Sequence, residues 1–378
     1  MMKILVKLGE IYEAEKLIPI SSAQVSGVSY QSLGKEGTEW IEFLSTSEVI
    51  VPTTLNTAGM DLELYKEMKI PSDFVKNQFR IIKAFREIGI TTTCSCTPHL
   101  TGNVPVYGQH ISWSESAAVG YANSVIGART NREGGPSALA AAIIGKTPYS
   151  GLHLTDNRKP NLLINVPIHL EGESDFSALG YWIGQIGGNG VPYIRGVKNA
   201  NLDELKAVTS GAAASGGIGL IHVDSITPEA NIQKTENIQT ETFHETNLKD
   251  TYEYLTTYNG KVDLVTIGCP HASLEEIAKI TKLVKGKKIS KQTKLWIFTS
   301  INMKKISERM GYLKIINDAG GQIYSDSCMI VAPLQDMGMK AMVVNSSKAA
   351  HYGPSLSKME IVFRDIEGCV DIALRGET

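Results

Sequence analysis

Three cysteines lie far apart in this chain, each in a short turn of small residues with a proline nearby. They are Cys96 in Cys-Ser-Cys-Thr-Pro-His, Cys269 in Ile-Gly-Cys-Pro-His and Cys328 in Asp-Ser-Cys-Met-Ile-Val-Ala-Pro. Thiolates on three separate loops can hold three irons of a cubane cluster and leave the fourth iron open. An open iron is a Lewis acid toward a hydroxyl and a carboxylate, which is the chemistry of a dehydratase. The chain has 5 cysteines, an odd number that argues against a disulfide framework. Cys369, in Glu-Gly-Cys-Val-Asp, reads as a small buried apolar residue. Cys94 forms a Cys-x-Cys pair with Cys96 and competes with it as the ligand. Thr97-Pro98 directly after Cys96 fixes a turn and favours Cys96, but the spacing alone leaves both open.

Polar segments elsewhere could hold an anionic substrate. Residues 123–135 read Asn-Ser-Val-Ile-Gly-Ala-Arg-Thr-Asn-Arg-Glu-Gly-Gly. Arg129 and Arg132 suit bidentate binding of carboxylate or phosphate, with Asn131 between them and glycines that let backbone approach a ligand. The structural alternative, a solvated loop, carries equal weight. Ser114-Glu115-Ser116 places a carboxylate between two hydroxyls, with Ser114 or Ser116 available as a helix N-cap. Ser346 and Lys348, in Asn-Ser-Ser-Lys-Ala-Ala-His-Tyr, suit an anion at a strand end, against the plain alternative of a capped helix with an exposed lysine. Asn56 and Thr57 lie in a similarly ambiguous turn-rich stretch. His99 and His271 adjoin cysteine turns and could donate to sulfur or substrate. His222, inside an apolar run, reads as a core residue.

These residues need elements to position them. Residues 79–88 carry apolar side chains at i, i+3, i+4 and i+7, an amphipathic helix closed by Gly89. Residues 90–93 then read as a β-branched strand running to Cys96. Residues 262–268 read as a strand, Cys269-Pro270-His271 as a turn, and Ser273 with Glu276 as a capping box for the next helix. Residues 322–324 run as a strand into Cys328, and 295–300 and 341–344 are further strands. Each cysteine thus falls at or just past a strand's C-terminal end, where open α/β sheets place ligands. Repeated α/β units follow, with approximate sub-domains 1–150, 151–245 and 246–378. The polar run 233–247 reads as a surface excursion or a junction.

Bulk properties narrow the class. The chain has 378 residues, 42% hydrophobic and 20% charged, with a net charge of −2. No basic, aromatic-rich stripe invites nucleic acid, and no apolar run nears the roughly 20 residues of a membrane-spanning helix. The N-terminus does not read as a signal peptide, so a cytoplasmic protein is expected. The glycine-rich stretches 184–190 and 215–219 lack a dinucleotide-binding spacing, and no P-loop or Cys-x-x-Cys zinc pair occurs.

Together, the motifs Cys-Thr-Pro-His, Ser-Glu-Ser-Ala, Asn-Ser-Val-Ile-Gly-Ala-Arg-Thr-Asn-Arg, His-Val-Asp-Ser-Ile-Thr-Pro-Glu-Ala, Gly-Cys-Pro-His-Ala-Ser, Cys-Met-Ile-Val-Ala-Pro and Asn-Ser-Ser-Lys-Ala-Ala-His-Tyr resemble the aconitase X family through nearly the whole chain. The resemblance implies an aconitase-like catalytic part of about three α/β domains around an iron–sulfur cluster, 4Fe–4S favoured, held by Cys96, Cys269 and Cys328. It implies a hydro-lyase. The family dehydrates either mevalonate 5-phosphate, in an archaeal isoprenoid route, or cis-3-hydroxy-L-proline. A cluster-bearing regulatory RNA-binding protein is a more distant alternative. Many members carry a fused swivelling domain that supplies a catalytic serine. Here the motifs end close to Thr378, so the resemblance implies a separate small subunit in a heterodimer, and with it mevalonate 5-phosphate as substrate. The expected substrate-binding residues are Asn56, Thr57, Ser114, Glu115, Arg129, Asn131, Ser346 and Lys348. The family often has a histidine where this chain has Gln24, so that histidine's role does not transfer.

Overall fold

The computed structural model describes residues 1–232 and 238–378. Three parallel sheets follow one another along the chain. The first has three strands in the order Thr53–Leu55, Ala23–Val25, Ser112–Trp113. The second has four, in the order His222–Val223, Pro192–Arg195, Leu162–Asn165, Gln239–Thr242. The third has five, in the order Gln322–Tyr324, Lys294–Thr299, Leu264–Ala272, Ala341–Val344, Glu360–Phe363. Parallel strands need crossover helices, and these cover the sheet faces. The architecture is therefore α/β in three parts.

The five-strand sheet shows why apolar runs became strands. Leu264, Trp296, Phe298 and Met342 pack into one core, while Val265, Leu295, Ile297 and Val343 pack into another on the opposite face. Alternate side chains of one strand point to opposite faces, so a strand buried on both must be apolar throughout. In the second part, helices Gly172–Gly187 and Leu202–Gly216 approach closely through glycine. A Cβ on Gly180 would sit 2.1 Å from the Val208 carbonyl oxygen, and one on Gly184 would sit 2.0 Å from Ser215 Oγ. The glycines of 184–190 and 215–219 thus serve helix packing and turns.

Three local expectations change. Residues 90–93 do not form a strand: only Thr91 pairs, with Thr54. Cys94, at φ 44°, turns the backbone away, and Ser95 N–H then donates to the Leu55 carbonyl. Cys269-Pro270-His271 is not a turn after its strand. The strand runs from Leu264 to Ala272 with an irregularity between Ile267 and Ala272. Gly268 permits this, because it adopts φ 108° with its α-carbon hard against Phe298, where a Cβ would lie 2.0 Å from the carbonyl oxygen. Residues 233–237, which open the polar run 233–247, lie outside the described residues. The rest of that run is not an excursion: Gln239–Thr242 is the edge strand of the second sheet, followed by helix Glu245–Tyr254.

Candidate active site

The three cysteine turns meet. Cys96, Cys269 and Cys328 are 7%, 6% and 9% exposed, whereas Cys94 and Cys369 are fully enclosed at 0%. Cys94 packs among Val25, Leu55, Ile81 and Phe85. The Cys96 sulfur instead accepts the His271 backbone N–H at 3.1 Å, and the Cys269 thiol lies beside that of Cys328. Burial pushes the Cys96 thiol up to about 12, with Glu115 adding to the rise and Lys348 opposing it. The neighbouring Cys328 thiol, and then burial, hold the Cys269 thiol well above its ordinary value. Such thiols are neutral until a metal displaces their protons.

His271 joins the three turns. Its ring is wholly buried, with Nε2 2.8 Å from the Ser327 carbonyl oxygen and Nδ1 3.0 Å from Ser95 Oγ. A carbonyl only accepts, so Nε2 carries the proton and Nδ1 accepts from the Ser95 hydroxyl. Burial pulls this imidazole down to about 4, which keeps it neutral. One residue thereby ties the strand of Cys269 to Ser95, beside Cys96, and to Ser327, beside Cys328. His99 does not reach a sulfur. It stacks on Tyr121 with centroids 3.9 Å apart, and its Nδ1 is buried without a partner among the described residues. His222 is a core residue, with Nε2 2.8 Å from the Arg158 carbonyl.

A buried ion pair adjoins the thiols. Lys348 Nζ bonds Glu115 Oε1, and Glu115 Oε2 accepts the Ala118 N–H at 2.8 Å. Glu115 is therefore the N-cap of helix Ser116–Tyr121, a place expected for Ser114 or Ser116. A carboxylate does the same work as a hydroxyl there and also favours the positive helix end. Lys348 is buried rather than exposed. Burial pulls its ammonium down, but the Glu115 carboxylate outweighs this and holds it above its ordinary value. Ser346 caps the short helix that carries Lys348 and lines a small cavity with Cys269 and Pro270.

Asn56 and Thr57 lead into Ala58, which pairs with Ser327 and donates to the Asp326 carbonyl at 2.7 Å. Asn56 Oδ1 is a buried acceptor with no partner among the described residues. Ser114 Oγ donates to the Gln24 carbonyl at 2.8 Å and accepts the Ser26 N–H. Gln24, fully buried, spans the site: its Nε2 donates to the Ser95 carbonyl and its Oε1 accepts the Glu115 N–H, both at 3.2 Å. Its amide thus links the Cys96 turn to the Glu115 cap. Arg129 and Asn131 are not brought to this group. Arg129 Nη1 donates to the His153 carbonyl and Thr155 Oγ1, while Asn131 bonds Ser150 and Leu152. Asn131 and Arg132 line a separate cavity of about 280 Å³ with Leu8, Tyr12, Glu133 and Pro148.

Three thiols on three separate turns match the donor type of an iron–sulfur cluster. Among the described residues no three His, Cys, Asp or Glu side chains are grouped to hold one metal ion. A cluster binds each thiolate through a different iron and needs no such convergence on one point.

Comparison with known proteins gives a consistent result. Models described as "Aconitase X first domain", "Aconitase X second domain" and "Aconitase X third domain" match residues 1–156, 160–253 and 262–375. The "Phosphomevalonate dehydratase large subunit" of Methanocaldococcus jannaschii is 50% identical over 377 residues, spanning 97% of this chain and 93% of that protein. The "Cis-3-hydroxy-L-proline dehydratase" of Hypocrea jecorina is 29% identical over 391 residues, spanning 99% of this chain and 65% of that protein. A solved structure, "Crystal structure of Thermococcus kodakaraensis aconitase X (holo-form)", superposes with a TM-score of 0.92 at 40% identity, covering 98% of this chain and 94% of that one.

Proposed function

The chain belongs to the aconitase X family, and from that membership we propose that it is the large subunit of a phosphomevalonate dehydratase. The reaction removes water from mevalonate 5-phosphate to give trans-anhydromevalonate 5-phosphate. A C–H bond α to the carboxylate and the β C–O bond break, a C=C bond forms, and the proton and hydroxide leave as water. The observation that carries the reading is the meeting of three nearly enclosed cysteines beside the Lys348–Glu115 pair. Higher identity to the phosphomevalonate enzyme than to the hydroxyproline enzyme supports the choice of substrate.

Cys96, Cys269 and Cys328 would hold the iron–sulfur cluster, a 4Fe–4S form. Bound there, the cluster supplies an open iron that polarises the substrate's hydroxyl and carboxylate. The chain's own residues prepare the pocket. Lys348 offers a fixed positive charge to the substrate carboxylate, and Glu115 keeps that ammonium charged and aimed. Asn56, with its unmatched buried oxygen, Thr57 and Ser346 offer polar contacts at the rim, while Ser114 braces Glu115 through Gln24. Arg129 and Asn131 have no part in this reading, because their polar groups are engaged elsewhere. The proton-removing base would be a serine of a small partner subunit in a cytoplasmic heterodimer. Among the described residues no helix is long and apolar enough to cross a membrane.

Anaerobic co-expression with a candidate small subunit, followed by assay of mevalonate 5-phosphate and cis-3-hydroxy-L-proline side by side, tests the proposal. Turnover of the phosphate is expected; turnover of the proline alone would overturn it.

A further inference from the structure

Burying a lysine costs free energy that its partners must offset. Among the described residues only Lys206, Lys304 and Lys348 are buried, at 4%, 6% and 8% exposure. All three are linked to the cysteine turns. Lys348 belongs to the site already described, but the other two face the turns from behind, on elements that carry no cysteine.

Lys206, on helix Leu202–Gly216, donates to Glu276 Oε2 at 2.5 Å, to Asp203 Oδ1 at 2.7 Å and to the His271 carbonyl at 3.4 Å. Its two carboxylates also grip Ser273. Asp203 Oδ2 accepts the Ser273 hydroxyl at 2.6 Å, and Glu276 Oε2 accepts the Ser273 N–H at 2.9 Å. The segment immediately after Cys269 and Pro270 is thus pinned at His271 and again at Ser273. Lys304, on helix Ile301–Arg309, donates to Asp61 Oδ2 at 2.8 Å and lies 3.5 Å from Ser325 Oγ. Asp61 Oδ2 also accepts the Ser325 N–H at 2.8 Å, and Asp61 Oδ1 accepts the N–H groups of Glu63 and Leu64. The segment entering the Cys328 turn is pinned in the same manner from another direction.

We infer that Lys206 and Lys304 are positioning residues, each holding one cysteine turn in place before any cluster binds. The inference rests on the proposed reading of Cys269 and Cys328 as ligands. Lys206 and its two carboxylates hold the segment two to four residues past Cys269, and Lys304, through Asp61, holds the segment three residues before Cys328.

The test is made on the cluster-free full chain, by thiol alkylation followed peptide by peptide with mass spectrometry. Buried thiols react only through local opening, so the labelling rate reports the stability of each turn. Lys206→Met should speed labelling of Cys269 about tenfold or more, equivalent to about 1.4 kcal/mol. Cys328 and Cys369 should stay within about twofold of the parent chain. Lys304→Met should do the reverse, sparing Cys269 and exposing Cys328. Asp203→Asn and Asp61→Asn, milder changes to the same clamps, should act in the same directions should the methionine variants not fold. Uniform acceleration at all five cysteines, or none at either target, would overturn the inference. Failure of the unaltered chain to take up iron and sulfide would instead overturn the ligand reading and leave the labelling result standing.

Discussion

Glu115 engages both carboxylate oxygens, one on a helix N-terminus and one on Lys348. Lys348→Met would leave that carboxylate buried without its counter-ion, at a cost of about 3–5 kcal/mol. Urea unfolding at neutral pH should show the loss, and activity of the assembled enzyme should fall with it. The two neighbouring thiols should behave oppositely. Cys94→Ala, at an enclosed apolar position, should leave iron content unchanged, whereas Cys96→Ser should lower it, as iron and sulfide analysis can establish. His153 supplies a pH signal away from the site. It is wholly buried, its Nδ1 meets His110 at 3.0 Å, and burial, then His110 and Arg158, pull it down to about 3. The unfolded chain binds a proton near pH 6.5 that the folded chain refuses. Stability therefore rises with pH between about 3 and 6.5 and is lost on acidification, by up to about 1.4 kcal/mol per pH unit from this group. His153→Leu should flatten the pH dependence of the urea midpoint between pH 6.5 and 5.

At the scale of elements, caps and glycines set the geometry. The Ser273–Glu276 capping box starts the helix that follows the Cys269 strand, and Ser273→Ala should cost about 1 kcal/mol in thermal or urea unfolding. Gly180 lets two helices approach to backbone contact. Gly180→Ala should cost about 1–3 kcal/mol, because the added carbon meets a carbonyl oxygen that no side-chain rotation can move. The capping box and the strands at 295–300 and 341–344 were legible in the sequence, since their signals are local: a hydroxyl three residues before a carboxylate, or an unbroken apolar run. The glycine-faced helix pair was not, because glycine looks the same in a turn and in a tight helix crossing. The strand expected at 90–93 failed for a related reason. β-branched residues favour extension, but the left-handed turn at Cys94 is imposed by packing that propensity does not encode.

For the molecule as a whole, the three cysteines were the legible part of the site. Cysteine is scarce in the chain, at 5 of 378 residues, and strand ends are where α/β folds put chemistry. The parts not legible join residues distant in sequence. His271 meets Ser327, Lys206 meets Glu276, and Lys304 meets Asp61, separated by 56, 70 and 243 positions. Arg129 and Asn131 suit an anion by residue type, and nothing in the sequence signals that Arg129 Nη1 and the Asn131 amide bond the 150–155 segment. Gln24 was noticed only as a departure from a family pattern, and its bond to each side of the site became visible once Ser95 and Glu115 were brought together.

The central claim is that the three turns form one cluster site. It is tested most directly by iron and sulfide analysis and the cluster spectrum of the anaerobically reconstituted chain, beside its Cys269→Ser variant. The account predicts one cluster per chain in the parent and a lost or altered spectrum in the variant. Less than one cluster per parent chain, or an unchanged spectrum in Cys269→Ser, would contradict it.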